Sequence, residues 1–195
     1  MLDINFVRGE MAESGNNILY TIGHSNHTIE DFIDLLKRYE IKVVADVRSA
    51  PYSRYCPQFN KDVLAARLEA AGVGYIFFGK ELGGRPNDSS CYENGRVNFG
   101  FIAERKEFRE GLQRLLAESS KERVAIMCAE KDPLDCHRTI LVCRSLKGES
   151  IQIKHILGDG GIEDHSDTER RLVKALKIEP MLFEIRKSGT DAKGS

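Results

Sequence analysis

Short apolar runs alternate along this chain with stretches in which apolar residues recur every three or four positions. The runs have the length of buried strands, and the periodic stretches are typical of helices that cover a sheet. Strands are predicted near 18–22, 41–48, 74–79, 123–128 and 151–157. Helices are predicted near 26–40, 61–71, 101–118 and 137–146, with a last one from Ser166. The alternation predicts an α/β fold, namely a single three-layer domain with a mostly parallel sheet of about five strands and helices on both faces.

Several residues mark where the helices begin and end. Thr28 is placed as the N-cap of the first helix, and Asn60 as the N-cap of the second. Gly72 follows the second helix and ends it, and Ser166 begins a capping box for the last helix. The segment 80–100 is long for a connection inside a compact domain, so we predict that it is a functional or a mobile loop.

The length and composition fit one soluble domain. A chain of 195 residues can bury a core without disulfides or metals to hold it. We predict a flexible N-terminal extension over 1–17, the domain over 18–183 and a flexible C-terminal tail over 184–195. No apolar stretch approaches the roughly 20 residues of a membrane helix, so a spanning protein is excluded.

Charge and cysteine content restrict the partners and the compartment. The 29 basic and 30 acidic residues give no global charge that would attract nucleic acid, so any anion site must be local. The first residues are polar and lack the basic and apolar regions of a secretory signal. The five cysteines are an odd number in a chain that does not need disulfides, which fits a reducing compartment. We therefore expect a cytoplasmic protein.

Residues with chemical potential collect where the predicted strands end. In an open parallel sheet, ligands bind in the crevice beyond the carboxyl ends of the strands. The candidates in or next to these strand ends are His24, Ser25, Asp46, Arg48, Ser53, Arg54, Gly83, Gly84, Cys128, Glu130, Cys136, His137 and Arg138.

The segment "CAEKDPLDCHR" at 128–138 allows four interpretations. A metal site would use Cys128, Cys136 and His137, with His24 as a fourth ligand, but the spacing C-x7-C-H is not that of a zinc knuckle, and we assign no metal ligand. A dithiol would need C-x-x-C. A nucleophile at Cys128 would have Arg138 to hold an anion, although the C-x5-R spacing of phosphatase loops is absent. Buried structural cysteines are as well supported as a functional pair.

Basic residues in the edge loops predict a locally positive rim. They are Arg48, Arg54, Lys80, Arg85, Arg96 and Arg138. Arginine forks match phosphate or carboxylate, although pairing with nearby acids would make the same residues structural. Tyr52, Arg54 and Tyr55 could stack a base and hold its phosphate, or form a packed lid.

Five fragments together resemble one known family. They are "TIGHSNHTIEDF", "VVADVRSAPYSRYCPQFN", "YIFFGKELGGRP", "VAIMCAEKDPLDCHR" and "HILGDGGIEDH", and their order and spacing resemble the family called domain of unknown function 488 over roughly residues 18–183. The resemblance implies a compact α/β fold. It marks as matching positions His24, Ser25, Asp46, Arg48, Pro51, Ser53, Arg54, Leu82, Gly83, Gly84, Cys128, Glu130, Cys136, His137 and Arg138. It implies no particular reaction.

The leading functional hypothesis is a small enzyme acting on a phosphorylated or nucleotide-like ligand. Cys128, His24, Glu130 and Asp46 are the catalytic candidates, with Cys128 as nucleophile and His24 with Glu130 moving protons. The ligand-binding candidates are Ser25, Arg48, Ser53, Arg54, Gly83, Gly84, Cys136, His137 and Arg138. The alternatives are a module that binds nucleotide or nucleic acid without turnover, and a Cys/His metalloprotein. The sequence predicts neither a cofactor nor an oligomeric state.

Overall fold

The computed structural model describes residues 18–176, and its centre is a six-stranded sheet in the order β3-β2-β6-β1-β7-β8. The strands are β1 (Ile18–Gly23), β2 (Val43–Asp46), β3 (Gly74–Phe77), β6 (Val124–Cys128), β7 (Gln152–Ile156) and β8 (Ile162–Asp164). All neighbouring pairs are parallel except β7 with β8. A small antiparallel hairpin pairs β4 (Tyr92–Glu93) with β5 (Arg96–Val97).

Helices cover both faces of the sheet. They are α1 (Ile29–Arg38), α2 (Lys61–Ala70), α3 (Gly79–Leu82), α4 (Phe99–Glu104), α5 (Lys106–Ser119) and α6 (His165–Leu176), with a π-helix at Arg138–Cys143. Phe32 of α1 and Leu64 of α2 belong to the core on one face, and Phe108 of α5 and Leu141 of the π-helix to the core on the other. The predicted three-layer α/β fold is confirmed.

Alternation along β6 decides which face its last residue reaches. Ala125 and Met127 belong to the core under α1 and α2, whereas Val124, Ile126 and Cys128 belong to the opposite core. Side chains of a strand point alternately to the two faces. Cys128 is therefore on the face that the π-helix covers.

Parallel pairing brings the predicted candidates to one edge. Gly23 at the end of β1 is in register with Cys128, and Asp46 at the end of β2 is in register with Met127. The ladder continues for two bonds, from the His24 amide to the Cys128 carbonyl and from the Ser25 amide to the Ala129 carbonyl, each 2.9 Å. The edge at which a crevice is expected is thus formed by the carboxyl ends of β1, β2 and β6.

Some helix boundaries agree with their sequence signals. The hydroxyl of Thr28 accepts a hydrogen bond from the Asp31 amide, so the predicted N-cap is confirmed. Asn60 does precede α2, but its side chain accepts from the Ser53 amide at 2.7 Å instead of capping the helix. Gly72 follows α2 with a φ of 75°, a conformation that glycine adopts at little cost.

Other predicted elements differ in the structure. The helix expected over 101–118 is two helices, because Asn98 caps α4 and the extended backbone of Arg105 interrupts the helix before α5. The last helix begins at His165, so the prediction of a cap at Ser166 is wrong. The fourth helix is wound as a π-helix.

The sixth strand and the hairpin were not predicted. β8 follows a tight turn in which the Leu157 amide bonds to the Gly161 carbonyl at 2.9 Å. Elements of two or three residues are too short to show a period. The hairpin lies within the predicted long loop.

No helix between residues 18 and 176 has the length and apolar character needed to cross a membrane. The predicted extension over 1–17 and tail over 184–195 lie outside the described residues, as does the end of the predicted domain after 176.

Candidate functional site

Four potential metal ligands meet at the end of β6. Their ligand atoms, the sulfurs of Cys128 and Cys136, a Glu130 oxygen and a His137 ring nitrogen, all lie within 4.8 Å of one another. Cys128 ends β6, while Cys136 and His137 stand between a 3-10 turn (Pro133–Asp135) and the π-helix. We call these four residues the thiol cluster.

The two thiols share one carboxylate oxygen. The sulfurs of Cys128 and Cys136 each lie 3.0 Å from Oε2 of Glu130. Both cysteines are buried, with 2% and 0% of their surface exposed, whereas Glu130 is exposed. A thiol that still carries its proton donates here, since an ionised carboxylate can only accept. Glu130 is therefore the exposed member of a group whose two sulfurs are buried.

His137 presents an unprotonated nitrogen to the cluster. Its Nε2 lies 3.0 Å from the carbonyl oxygen of Val47, and its Nδ1 lies 3.6 Å from the sulfur of Cys128. A carbonyl oxygen can only accept, so Nε2 carries the proton, and in the neutral ring Nδ1 keeps its lone pair. The Val47 carbonyl thus fixes the tautomer that a metal ligand needs.

Burial and hydrogen bonding shift the pKa values of the two thiols in opposite directions. Hydrogen bonding to Cys136, followed by burial, raises the pKa of Cys128. Burial alone would raise the pKa of Cys136, but hydrogen bonding with Cys128 and the charge of Arg138 outweigh it and lower the value to about 6. Burial alone would likewise raise the pKa of Glu130, but hydrogen bonds from the two thiols outweigh it and lower the value. Cys136 is the thiol that ionises first.

Arg138 holds the loop that carries Glu130. Its guanidinium is fully buried and donates from Nη1 to the Glu130 carbonyl at 2.7 Å and from Nη2 to the Lys131 carbonyl at 3.3 Å. Its amide lies 3.4 Å from the sulfur of Cys136. The predicted anion-binding residue is instead bonded to main-chain carbonyls of this loop.

Two glycines make room around the cluster. A Cβ at Gly23 would lie 1.9 Å from the Glu130 carbonyl oxygen, and one at Gly84 would lie 2.7 Å from Cγ of His137. Real Cβ atoms do not approach so closely, so only glycine fits at either position. Gly84 therefore backs the His137 ring, and Gly83 packs in the same way against Gly79 and Ser49.

A second polar group lies beside Cys128. Asp46 is fully buried and accepts from Nε and Nη2 of Arg48, at 2.9 and 2.7 Å, and from the Tyr75 hydroxyl at 2.7 Å. Nη1 of Arg48 lies 3.2 Å from Nε2 of His24. The buried ion pair thus orients the arginine against the histidine.

His24 stays neutral in this environment. Its ring stacks on Phe59 with centroids 4.3 Å apart, and its Nδ1 lies 2.9 Å from the Ser25 carbonyl. Burial, together with the charge of Arg48, lowers the pKa of His24 to about 4. Because Arg48 donates to Nε2, Nδ1 carries the proton toward Ser25.

The remaining candidates surround this centre without joining it. Ser25 has a φ of 47°, and its hydroxyl donates to Asn26. Ser53 accepts from the Tyr55 amide and stabilises its own loop. Arg54 is exposed, and its guanidinium carbon lies 5.1 Å from the Tyr55 ring centroid.

Sequence reasoning missed three contributors. The Tyr75 hydroxyl and the Val47 carbonyl carry no sequence signal, since one lies on a neighbouring strand and the other is main chain. Gly23 stands in "TIGHS" directly before His24, and a glycine at the end of a buried strand could have signalled close backbone approach.

Comparison with known proteins gives one match. The profile of the family described as "Domain of unknown function DUF488" matches residues 28–144, more than half of the chain. The matched range contains the thiol cluster, Asp46 and Arg48, while His24 lies before it. No curated protein and no solved structure matches the chain significantly.

Proposed function

The chain belongs to the DUF488 family, and we propose that it is a metal-binding protein whose thiol cluster holds one divalent transition metal ion of the zinc type. Two thiolates, an imidazole and a carboxylate are ligands that zinc accepts. This proposal revises the sequence interpretation, which assigned no metal ligand because of the spacing. Cys136 and His137 are adjacent in sequence, so their spacing fits no zinc knuckle although all four ligand atoms meet.

The observation that carries the proposal is the orientation of His137. Metal-binding histidines almost always donate their second ring N–H to a carbonyl, carboxylate or water. His137 does so through Nε2, which leaves Nδ1 directed at the sulfur of Cys128. A histidine that only filled space would not need this tautomer.

The distances between the ligand atoms also fit a bound zinc ion. Tetrahedral zinc with the usual bond lengths separates two sulfurs by about 3.8 Å and a sulfur from a nitrogen by about 3.6 Å. The Cys128 sulfur lies 3.6 Å from Nδ1 of His137, and no pair of ligand atoms exceeds 4.8 Å. Adjustments of at most about one ångström would therefore bring all four ligand atoms to these separations.

Charge favours a cation in the same place. Two buried sulfurs and a carboxylate lie around one point, and ionised thiols there would repel Glu130. A divalent ion displaces the thiol protons and balances the two thiolate charges. The buried Arg138 offsets the charge of Glu130, to whose main chain it is bonded.

The test is metal content. Untagged protein loaded with zinc and freed of excess should retain about one ion per chain. A Cys128→Ser/Cys136→Ser double variant should retain none, whereas Cys56→Ser, a half-buried thiol bonded to the Ser25 carbonyl, should bind like the wild type. A folded wild type that retains no zinc, or a double variant that retains as much as the wild type, contradicts the proposal.

A second candidate is the enzyme acting on a phosphorylated or nucleotide-like ligand. It is favoured by Arg48 and His24 next to Cys128, and by the exposed Arg54 with Tyr52 and Tyr55, which are 60% and 80% exposed. In that case Cys128, the nucleophile of the sequence hypothesis, must lose its proton to a neighbouring base despite its raised pKa. Metal-free protein should then react with iodoacetamide at Cys128 and lose the reaction in the presence of a nucleotide. Labelling at Cys128 that nucleotides leave unchanged counts against it.

Nucleic acid is an alternative ligand for the same exposed loop. Rings that alternate with a cation stack bases, and such binding weakens steeply with salt. A Tyr55→Ala variant separates this activity from metal binding, because Tyr55 contacts no residue of the thiol cluster through any bond observed in residues 18–176. If neither salt nor this variant changes the binding of single-stranded nucleic acid, the loop is excluded as the binding surface.

The compartment is proposed as cytoplasmic. All five cysteines are free thiols, which supports a reducing environment. Detection of the protein in a cytoplasmic fraction tests this directly.

A further inference from the structure

We infer that the metal ion at the thiol cluster has only three permanent protein ligands, Cys128, Cys136 and His137, and that its fourth position is open to a small uncharged ligand with an oxygen or nitrogen lone pair. This inference rests on the proposed metal binding. It adds that the centre is of the catalytic type, which keeps one position for water or substrate.

Three of the four groups are held in place. Cys128 ends a central strand, and the Cys136 sulfur accepts from the Arg138 amide. His137 is fixed between the Val47 carbonyl and Gly84. Each of these residues is buried or half-buried and is held from outside the cluster, Cys128 through the main-chain pairing of its strand and the other two through their side chains.

Glu130 differs from the other three. Its side chain is exposed, and apart from its own backbone its carboxylate is hydrogen-bonded in the described part of the chain to the thiols of Cys128 and Cys136. Metal binding removes both thiol protons. The carboxylate then loses both donors, while its main chain stays fixed by Arg138.

A metal-bound water would replace those donors. Water at the fourth position would offer protons to the exposed carboxylate of Glu130, which already contacts both sulfurs. Glu130 is then a positioning residue that accepts a hydrogen bond from this water. A direct bond from Glu130 to the metal would instead close the site.

The charge balance indicates which ligand can replace the water. The two thiolates balance the divalent ion, Arg138 offsets Glu130, and Asp46 neutralises Arg48. The centre therefore has no excess positive charge with which to attract a phosphate. A carbonyl, hydroxyl or amine group of an uncharged molecule fits this neutral site better.

Cobalt(II) in place of zinc reports the open position, because its visible spectrum depends on coordination. The protein with cobalt should show intense sulfur-to-cobalt absorption, and imidazole should shift the visible bands with saturation. Inorganic phosphate at the same concentration should leave the bands unchanged. Glu130→Gln should keep the sulfur-to-cobalt absorption, because the three protein ligands remain.

The outcomes separate the two proposals. No sulfur-to-cobalt absorption in the folded wild type overturns the metal centre, and the open position with it. Full absorption that imidazole shifts only in Glu130→Ala, and not in the wild type, leaves the metal centre standing and overturns the open position, because Glu130 is then the fourth ligand. A phosphate shift as strong as the imidazole shift overturns the assignment of an uncharged ligand.

Discussion

His137 donates its Nε2 proton to the carbonyl oxygen of Val47 over 3.0 Å, across 90 residues of sequence. The bond ties the start of the π-helix to the end of β2 and turns Nδ1 toward the Cys128 sulfur. One main-chain carbonyl on a neighbouring strand thus decides how the imidazole faces the thiol cluster.

Removal of this imidazole should greatly weaken metal binding. We expect His137→Ala to lower zinc affinity by more than about 100-fold, beyond the loss typical of changing a residue that only supports a ligand. Competition with a chromophoric chelator measures the affinity. His27→Ala is the matched control, because His27 is half-buried and has no bond to the cluster within residues 18–176, and its affinity should equal that of the wild type. Equal affinities for the two variants would remove His137 from the ligand set.

A methyl group at Gly23 should displace the loop that carries Glu130 and so disturb the thiol cluster. The new Cβ of Gly23→Ala would lie 1.9 Å from the Glu130 carbonyl oxygen and 3.1 Å from Nη1 of Arg138, so the loop must shift. We expect a loss of about 1–3 kcal/mol in the free energy of unfolding, as for other overpacked sites, together with weaker zinc binding. Gly74→Ala is the control, since its Cβ meets only ordinary contacts of 3.4 Å or more. Urea unfolding compares the two, and equal stability would mean that the loop accommodates the methyl group freely.

The buried ion pair should be more costly to break than a surface pair. Asp46→Asn leaves Arg48 as a buried charge without its partner, which costs about 3–5 kcal/mol in the free energy of unfolding. Glu40→Gln removes an exposed pair with Arg123 and should cost less than about 1 kcal/mol. Denaturant unfolding of both variants measures the difference. Similar losses would show that Arg48 finds another partner or reaches solvent.

The pH dependence of stability should include a contribution from His155. Burial, with the nearby charge of His165, lowers the pKa of His155 to about 3. Between this pKa and that of an unfolded histidine, about 6.5, the unfolded chain binds more protons than the folded chain. The free energy of unfolding therefore falls as the pH decreases through this range. The contribution of this group is at most about 1.4 kcal/mol per pH unit.

Two variants isolate that contribution. His155→Asn should have a shallower dependence of unfolding free energy on pH between pH 6 and pH 4 (about the range in which the two pKa values differ). Thr21→Val removes the 2.7 Å hydrogen bond to Nδ1 of His155 but keeps the ring, so it should retain the steeper dependence. Identical slopes for His155→Asn and the wild type would show that other groups account for acid sensitivity.

Local pattern accounts for most of what could be predicted of the fold. The parallel strands and the helices around them follow from apolar runs and helical periods, which depend on neighbouring residues only. β8 and the hairpin β4-β5 could not be predicted, because strands this short show no period. The break at Arg105 is equally hidden, since residues 104–107 are all charged and include neither proline nor glycine to mark it.

The candidate site likewise has features that the sequence predicts and features that it does not. Cys128 and His24 could be placed at one edge because parallel strands end together. The inward turn of Arg138 could not be predicted, since its partners are the carbonyls of Glu130 and Lys131, and carbonyls are present at every position.

The sequence by itself determined the α/β layers and the edge at which the reactive residues collect, because side-chain periodicity and parallel strand direction are local properties. Only the tertiary structure decided which of those residues meet. The order β3-β2-β6-β1-β7-β8 sets β2 beside β6, and so brings the Val47 carbonyl within reach of His137. The physical reason is that a metal-sized cluster depends on distances of a few ångströms between segments far apart in the chain, and packing of the whole sheet sets those distances.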